Sequence, residues 1–158
     1  MPTAISSNYA KPMPRHDEIR LLPFTPDQMF DLVSDVDSYP KFLPWCIGVR
    51  VRDRQKSVFL ADLLIGFKML REKYSSRVVL NRSDYTILVE YLDGPFRFLD
   101  NSWKFIAEKD GGTRVEFHIN FEFKSRLLQS LIGRMFEDAV SVMVSAFEKR
   151  AHDLYGSK

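Results

Sequence analysis

Hydrophobic and polar residues alternate strictly near residue 120. Val115, Phe117, Ile119, Phe121 and Phe123 are interleaved with Glu116, His118, Asn120, Glu122 and Lys124. A period of two puts one set on a buried face and the other in water. In the preceding stretch Phe96 and Phe98 are even-numbered while Trp103 and Phe105 are odd. That phase slip predicts a β-bulge near Asp100 and Asn101, and a bulge bends a sheet. Turn-forming Gly, Asn and Asp clusters at 53–56, 81–84, 93–95 and 110–112 divide the middle of the chain into strands at about 47–53, 57–67, 69–80, 84–92, 96–108 and 113–124. With a first strand over 16–24 this makes seven.

A helix start stands between the first two strands. Thr25 is suited to the N-cap, Pro26 to the first helical position, and Gln28 closes a capping box. The helix should reach about Val36 and bury Met29, Phe30, Leu32 and Val33. Pro40 and Pro44 then forbid a continuous helix, so Phe42, Leu43 and Trp45 fall in an irregular segment. After Ser125, a plausible N-cap, Leu128, Ile132, Met135, Ala139, Val142 and Ala146 recur at spacings of four and three. This predicts one long C-terminal helix with an apolar stripe, widened by Leu131, Phe136, Val140, Met143 and Phe147. Some thirty residues would span roughly 45 Å. Sequential strands with segregated helices indicate an α+β domain built on a curved seven-stranded antiparallel sheet around that helix. Residues 16–156 are expected to form one domain, and the polar, non-periodic residues 1–15 a flexible tail.

The 158 residues carry 23 basic and 21 acidic side chains. This near-balance gives no general footprint for nucleic acid, although Arg50, Arg52, Arg54 and Lys56 form a local cluster. The single cysteine, Cys46, excludes an internal disulfide and favours a reducing compartment. No apolar run reaches the roughly 18 residues needed to span a bilayer.

Several segments resemble the coenzyme Q-binding branch of the polyketide cyclase/START superfamily. They are Phe42-Leu43-Pro44-Trp45-Cys46 following Asp35 to Pro40; Arg71-Glu72-Lys73-Tyr74; Gly94-Pro95-Phe96; Asn101-Ser102-Trp103-Lys104-Phe105; and the alternating run from Val115 to Phe123. Ala146 to Ala151 resembles that branch's C-terminal helix. The resemblance covers about residues 16–155. It implies the helix-grip (START-like) fold and a cavity between sheet and long helix. It also implies ubiquinone binding in support of respiratory electron transport or quinone biosynthesis. The same branch contains ribosome-association toxin homologues. The location implied is cytoplasmic and peripheral to the inner membrane, on the matrix side in a eukaryote.

Signals for catalysis are few. His16, His118 and His152 lack metal-site spacing, Cys46 has no histidine near it in sequence, and Asp35 and Asp37 flank a helix end. The expectation is a binding protein, with no catalytic residue, no metal and no required cofactor, and ubiquinone as a bound ligand. Candidate pocket residues are Phe42, Leu43 and Trp45 in the irregular segment; Phe67, Tyr91, Trp103, Phe117 and Phe121 on strands; and Leu131 and Met135 on the long helix. For Leu43, Trp45 and Trp103, core packing and ligand contact stand equally open. Phe42 to Trp45 should form the lip of the pocket, where a peripheral membrane encounter delivers a prenylated quinone whose tail stays outside. Partners in this reading are the hydrophobic ligand and a membrane surface, with a ribosome as an alternative and no DNA. A polyketide cyclase-like enzyme is the other alternative. It would need inward polar groups, for which Arg71, Tyr74 and Tyr91 are the candidates.

Overall fold

Seven strands form one antiparallel sheet in the order β1-β7-β6-β5-β4-β3-β2. They are β1 (Arg15–Leu22), β2 (Cys46–Arg52), β3 (Val58–Phe67), β4 (Leu70–Asn81), β5 (Thr86–Asp93), β6 (Phe96–Ala107) and β7 (Thr113–Phe123). Between β1 and β2 lie α1 (Pro26–Ser34), a 3₁₀ turn (Val36–Ser38) and the short α2 (Tyr39–Phe42). Two helices, α3 (Arg126–Gly133) and α4 (Phe136–Tyr155), close the chain. This computed structural model describes residues 15–67, 70–133 and 135–156. The expected tail over 1–15 lies outside the described residues, apart from Arg15, which already pairs with Asn120 in the sheet.

The signals at the start of α1 operate as expected. The Gln28 amide donates to Thr25 Oγ1 at 3.1 Å, and the Thr25 amide donates to Gln28 Oε1 at 2.9 Å. Met29, Phe30, Leu32 and Val33 are buried. The helix stops at Ser34, two residues earlier than expected, and the chain turns through Val36–Ser38.

Three bulges curve the sheet, at Cys46/Gly48 in β2, at Leu92 of β5 opposite Ser75/Ser76, and at Phe96/Phe98 in β6. The last corrects the position read from the sequence. Phe96 faces Phe123, but Phe98 already faces Glu122, so the extra residue is Arg97. Leu99, Trp103 and Phe105 then share the buried face with Val115, Phe117 and Phe121. Phe98 misleads the pattern because it is apolar yet lies opposite an outward glutamate.

The C-terminal helix is broken, which corrects the expectation of one continuous rod. α3 ends at Gly133, and the Met135 amide donates to the Ile132 carbonyl at 3.0 Å before α4 begins. Glycine is a poor helix former, and the break lets the two pieces present different faces. α3 packs through Leu128 and Ile132, whereas α4 buries Phe136, Val140, Val144, Phe147 and Ala151. Val142, placed on the stripe by the sequence, is 49% exposed. At 1.5 Å per residue α4 spans about 30 Å, close to the length of a nine-residue strand. It therefore crosses the sheet once without overhang.

α4 is tied to the edge strand β1 by charge. The Arg20 guanidinium donates to Glu148 at 2.7 Å and also pairs with Glu18. On the other side of the helix the contact is apolar, with the Phe147 ring edge-on to Tyr39 and Phe42 at 5.3 Å each.

Candidate functional site

Between the concave face of the sheet and the helices lies a cavity of about 150 Å³. Its floor is built by alternation: Ala61, Leu63 and Ile65 of β3, Tyr74, Ser76 and Val78 of β4, Ile87 and Val89 of β5, Asn101 and Trp103 of β6, and Phe117 and Ile119 of β7. Every second residue of each strand faces the same way, so a short piece of each contributes two or three. The roof is Val33, Val36, Tyr39, the segment from Leu43 to Cys46, and Met143, Val144 and Phe147 of α4.

The segment linking α2 to β2 folds inward. The Leu43 amide donates to the Tyr39 carbonyl at 2.8 Å, and Trp45 takes a left-handed backbone with φ 70°. A bulky residue adopts that conformation only when its surroundings hold it there. Here the Gly66 amide donates to the Trp45 carbonyl at 2.8 Å, and the indole sits edge-on to Phe67 with ring centres 5.5 Å apart. The strained turn aims the indole at the cavity wall.

The expected pocket residues separate into three groups. Leu43, Trp45, Trp103 and Phe117 line the cavity. Phe42, Phe67, Tyr91 and Phe121 stand behind the lining. Phe42 packs on Tyr39 and Phe147 beneath the Arg150 guanidinium, and Phe67 backs Trp45. The Tyr91 hydroxyl accepts the Phe96 amide at 3.0 Å. Phe121 joins an aromatic plug in which Phe96 meets Tyr74, Tyr91, Phe121 and Phe123, while Phe121 also meets Phe136. Leu131 and Met135 lie off the cavity altogether, Leu131 being 55% exposed on α3. The break in the C-terminal helix separates both from the cavity, and Met143 supplies the methionine that does line it. The intended lip is also altered. Leu43 is buried, so of Phe42, Leu43 and Trp45 none is a fully exposed side chain.

Polar groups in the lining are few. Asn101 Nδ2 donates to the His118 carbonyl at 2.9 Å. The hydroxyls of Tyr74 and Ser76 make no hydrogen bond among the described residues, although Ser76 is only 1% exposed. Burial pushes the Tyr74 phenol up to about 12, so it stays a neutral donor across the physiological range. Burial also raises the Cys46 thiol, whose sulfur lies 3.9 Å from the Gly48 carbonyl oxygen, leaving it protonated. The histidines are engaged elsewhere: His16 with Glu18, His118 with Asp17, and His152 edge-on to Phe24. Among the described residues no group of three or more His, Cys, Asp and Glu side chains could hold a metal ion. This lining is suited to enclosing a ring and offering it hydroxyl donors.

The basic cluster at the end of β2 is largely neutralised. Arg52 donates to both Asp62 oxygens at 2.9 and 3.1 Å, Arg50 lies 3.7 Å from the same carboxylate, and Arg54 pairs with Asp37 at 2.9 Å. The Arg52 guanidinium and the Ser75 hydroxyl beside it lower the Asp62 carboxyl to about 2. Its deprotonated form is therefore favoured by folding. That contribution is complete above the ordinary aspartate value of 3.8 and disappears as pH falls towards 2. Thermal unfolding between pH 2 and 5 should show a steeper acid loss for the parent than for Asp62→Asn. Parallel curves would disprove the coupling.

Residues 22–148 match the family described as polyketide cyclase / dehydrase and lipid transport. The chain belongs to this family. Its relatives include a ribosome association toxin RatA from Rickettsia prowazekii, 41% identical, with 85% of this chain and 94% of the relative aligned. A mitochondrial coenzyme Q-binding protein COQ10 homolog B from Xenopus laevis is 34% identical over 89% of this chain and 59% of its own length. Among solved structures, an 18 kDa protein of Caulobacter crescentus superposes with a TM-score of 0.74 at 43% identity, covering 90% of this chain and 99% of that one. The fold is thus shared with a solved relative, and the family's description joins polyketide cyclases and dehydrases with lipid transport.

Proposed function

We propose that this polyketide cyclase-family chain binds a prenylated quinone such as ubiquinone, with the ring in the cavity and the tail outside, and carries it without chemical change. The observation supporting this reading is the cavity itself: sheltered, apolar, and furnished with two hydroxyls that have no hydrogen-bond partner among the described residues. A 150 Å³ apolar cavity is the size that holds one six-membered ring. It falls below the roughly 300–1,000 Å³ of pockets that enclose whole drug-sized ligands, which leaves the tail no room. Each buried CH₂ contributes about 0.8 kcal/mol, and the Tyr74 and Ser76 hydroxyls suit quinone carbonyl oxygens. Micromolar binding corresponds to about 8 kcal/mol. The coenzyme Q-binding relative supports the choice of ring.

Trp45 and Trp103 both line the cavity, so a quinone entering it should quench their fluorescence. Titration with a short-tailed ubiquinone should give saturable quenching in the micromolar range. Organic extraction of the purified protein, followed by mass spectrometry, should recover a quinone. Ile119→Phe, which fills the cavity from β7, should weaken the quenching at least tenfold while the protein remains folded. Absence of both saturable quenching and extracted quinone would end this reading.

A second reading, association with ribosomal subunits, is favoured by the relatives that carry that name at up to 41% identity. The ion-paired arginines in and just after β2 are poorly placed to serve it. Co-sedimentation with ribosomal subunits, in the presence and absence of quinone, separates the two readings.

A further inference from the structure

We infer that the α3 end of the molecule is a docking face for an anionic lipid bilayer, an inference that rests on the quinone-carrier reading for its purpose. α3 is a helix with no buried residue. Leu128 and Ile132 lean on the core, but Leu127 and Leu131, one turn apart on another face, are 71% and 55% exposed. The fold uses one apolar face of α3 and leaves the other in water.

Strand alternation assigns further groups to the same end. In an antiparallel sheet β3, β5 and β7 finish where β2, β4 and β6 begin. Ile47 and Leu92, 45% and 51% exposed, therefore lie at the end from which α3 emerges. The Trp45 wall of the cavity is there too, since Cys46 pairs with Ile65 at the end of β3. The Lys124 amide donates to the Pro95 carbonyl at 2.9 Å, which sets the β5–β6 turn beside the start of α3.

Unpaired cations gather at this end. Arg71, Lys73, Lys124 and Arg126 are exposed and make no ion pair among the described residues. On the rest of the sheet Arg20, Arg52, Arg77 and Arg114 each have a carboxylate partner, whereas Lys104 of β6 is exposed without one among the described residues. The acids nearby are Asp93, the half-buried Glu72, Glu122 held by Arg97, and Glu137 with Asp138 in the first turn of α4. The last two complement that helix's positive end. Lys124 and Arg126 immediately precede the exposed leucines. Paired leucines flanked by free cations match the two layers of an anionic bilayer, apolar beneath and negative at the surface. Nucleic acid would use the cations but has no place for the leucines.

The test is vesicle flotation with the full chain, comparing phosphatidylcholine alone with phosphatidylcholine containing phosphatidylglycerol. The parent should float with the anionic vesicles. Leu127→Ser with Leu131→Ser, and separately Lys124→Glu with Arg126→Glu, should each reduce floated protein at least tenfold. Circular dichroism and quenching by short-tailed ubiquinone should stay unchanged, because all four side chains are exposed and off the cavity. Quinone quenching without flotation overturns the docking face alone; loss of quenching in the parent overturns the carrier reading beneath it. If the double variants float like the parent, the face is wrong. It is equally wrong if they lose only binding to ribosomal subunits or only self-association measured by light scattering.

Discussion

Trp103→Ala is expected to lower the unfolding free energy by about 3–5 kcal/mol, the range for removing a large buried aromatic side chain. Trp103 is 5% exposed and touches three other rings, Phe105, Phe117 and Phe147, the last two at 4.6 and 4.9 Å. It is thus the point where β6, β7 and α4 meet. Its removal also merges the space it leaves with the existing cavity. The variant should therefore lose stability while gaining room for a larger or more branched ring. Urea denaturation checks the first effect, and competition between quinones of different ring size checks the second. A loss below 1 kcal/mol would mean that the three rings close over the gap and that Trp103 does not hold the helix on the sheet.

The second large effect is expected at Gly94. Its φ of 149° lies in a region that side chains rarely adopt, and an added Cβ would stand 2.5 Å from Tyr74 Cβ and 3.0 Å from Tyr74 Cα. Backbone strain of this kind costs about 1–3 kcal/mol, and overpacking adds about 1–3 more. Gly94→Ala should therefore destabilise by about 2–6 kcal/mol on the same two grounds. Since Tyr74 lines the cavity and is pressed by the turn, relief of the clash drives its ring inward. Quinone affinity should fall more than stability alone explains. If Gly94→Ala keeps both its melting temperature and its affinity, the close approach of the turn to Tyr74 is not a constraint.

Much of the architecture was legible from residue order because the signals were local. The capping box at Thr25 and Gln28 and the alternation of β7 each depend on neighbours a few positions away. The break between α3 and α4 was not legible. Apolar residues continue on both sides of Gly133 at helical spacing, and a single glycine inside such a pattern is tolerated in many helices. Only the tertiary packing reveals that Phe136, Val140 and Val144 face the sheet in place of Ala139 and Val142. The bulge shows the same limit: the phase slip was visible, but Phe98 disguised its position.

The cavity was legible only in part. Periodicity tells which residues face inward and says nothing about whether the facing space is filled. Trp103 and Phe117 line a void while Phe121, four residues further along β7, is packed into the aromatic plug, although all three carry the same signal. Ser76, Val78 and Asn101 were not among the expected pocket residues. Small or polar side chains at inward positions mark where a core is thin, and that signal was present in Ala61 and Ser76.

The left-handed backbone at Trp45 has one last consequence. Glycine would occupy that position without strain, yet it would remove the indole from the wall of the hollow. The chain forgoes the most relaxed residue in order to hold an aromatic surface in place. Ease of folding and a finished wall thus make opposite demands on a single position.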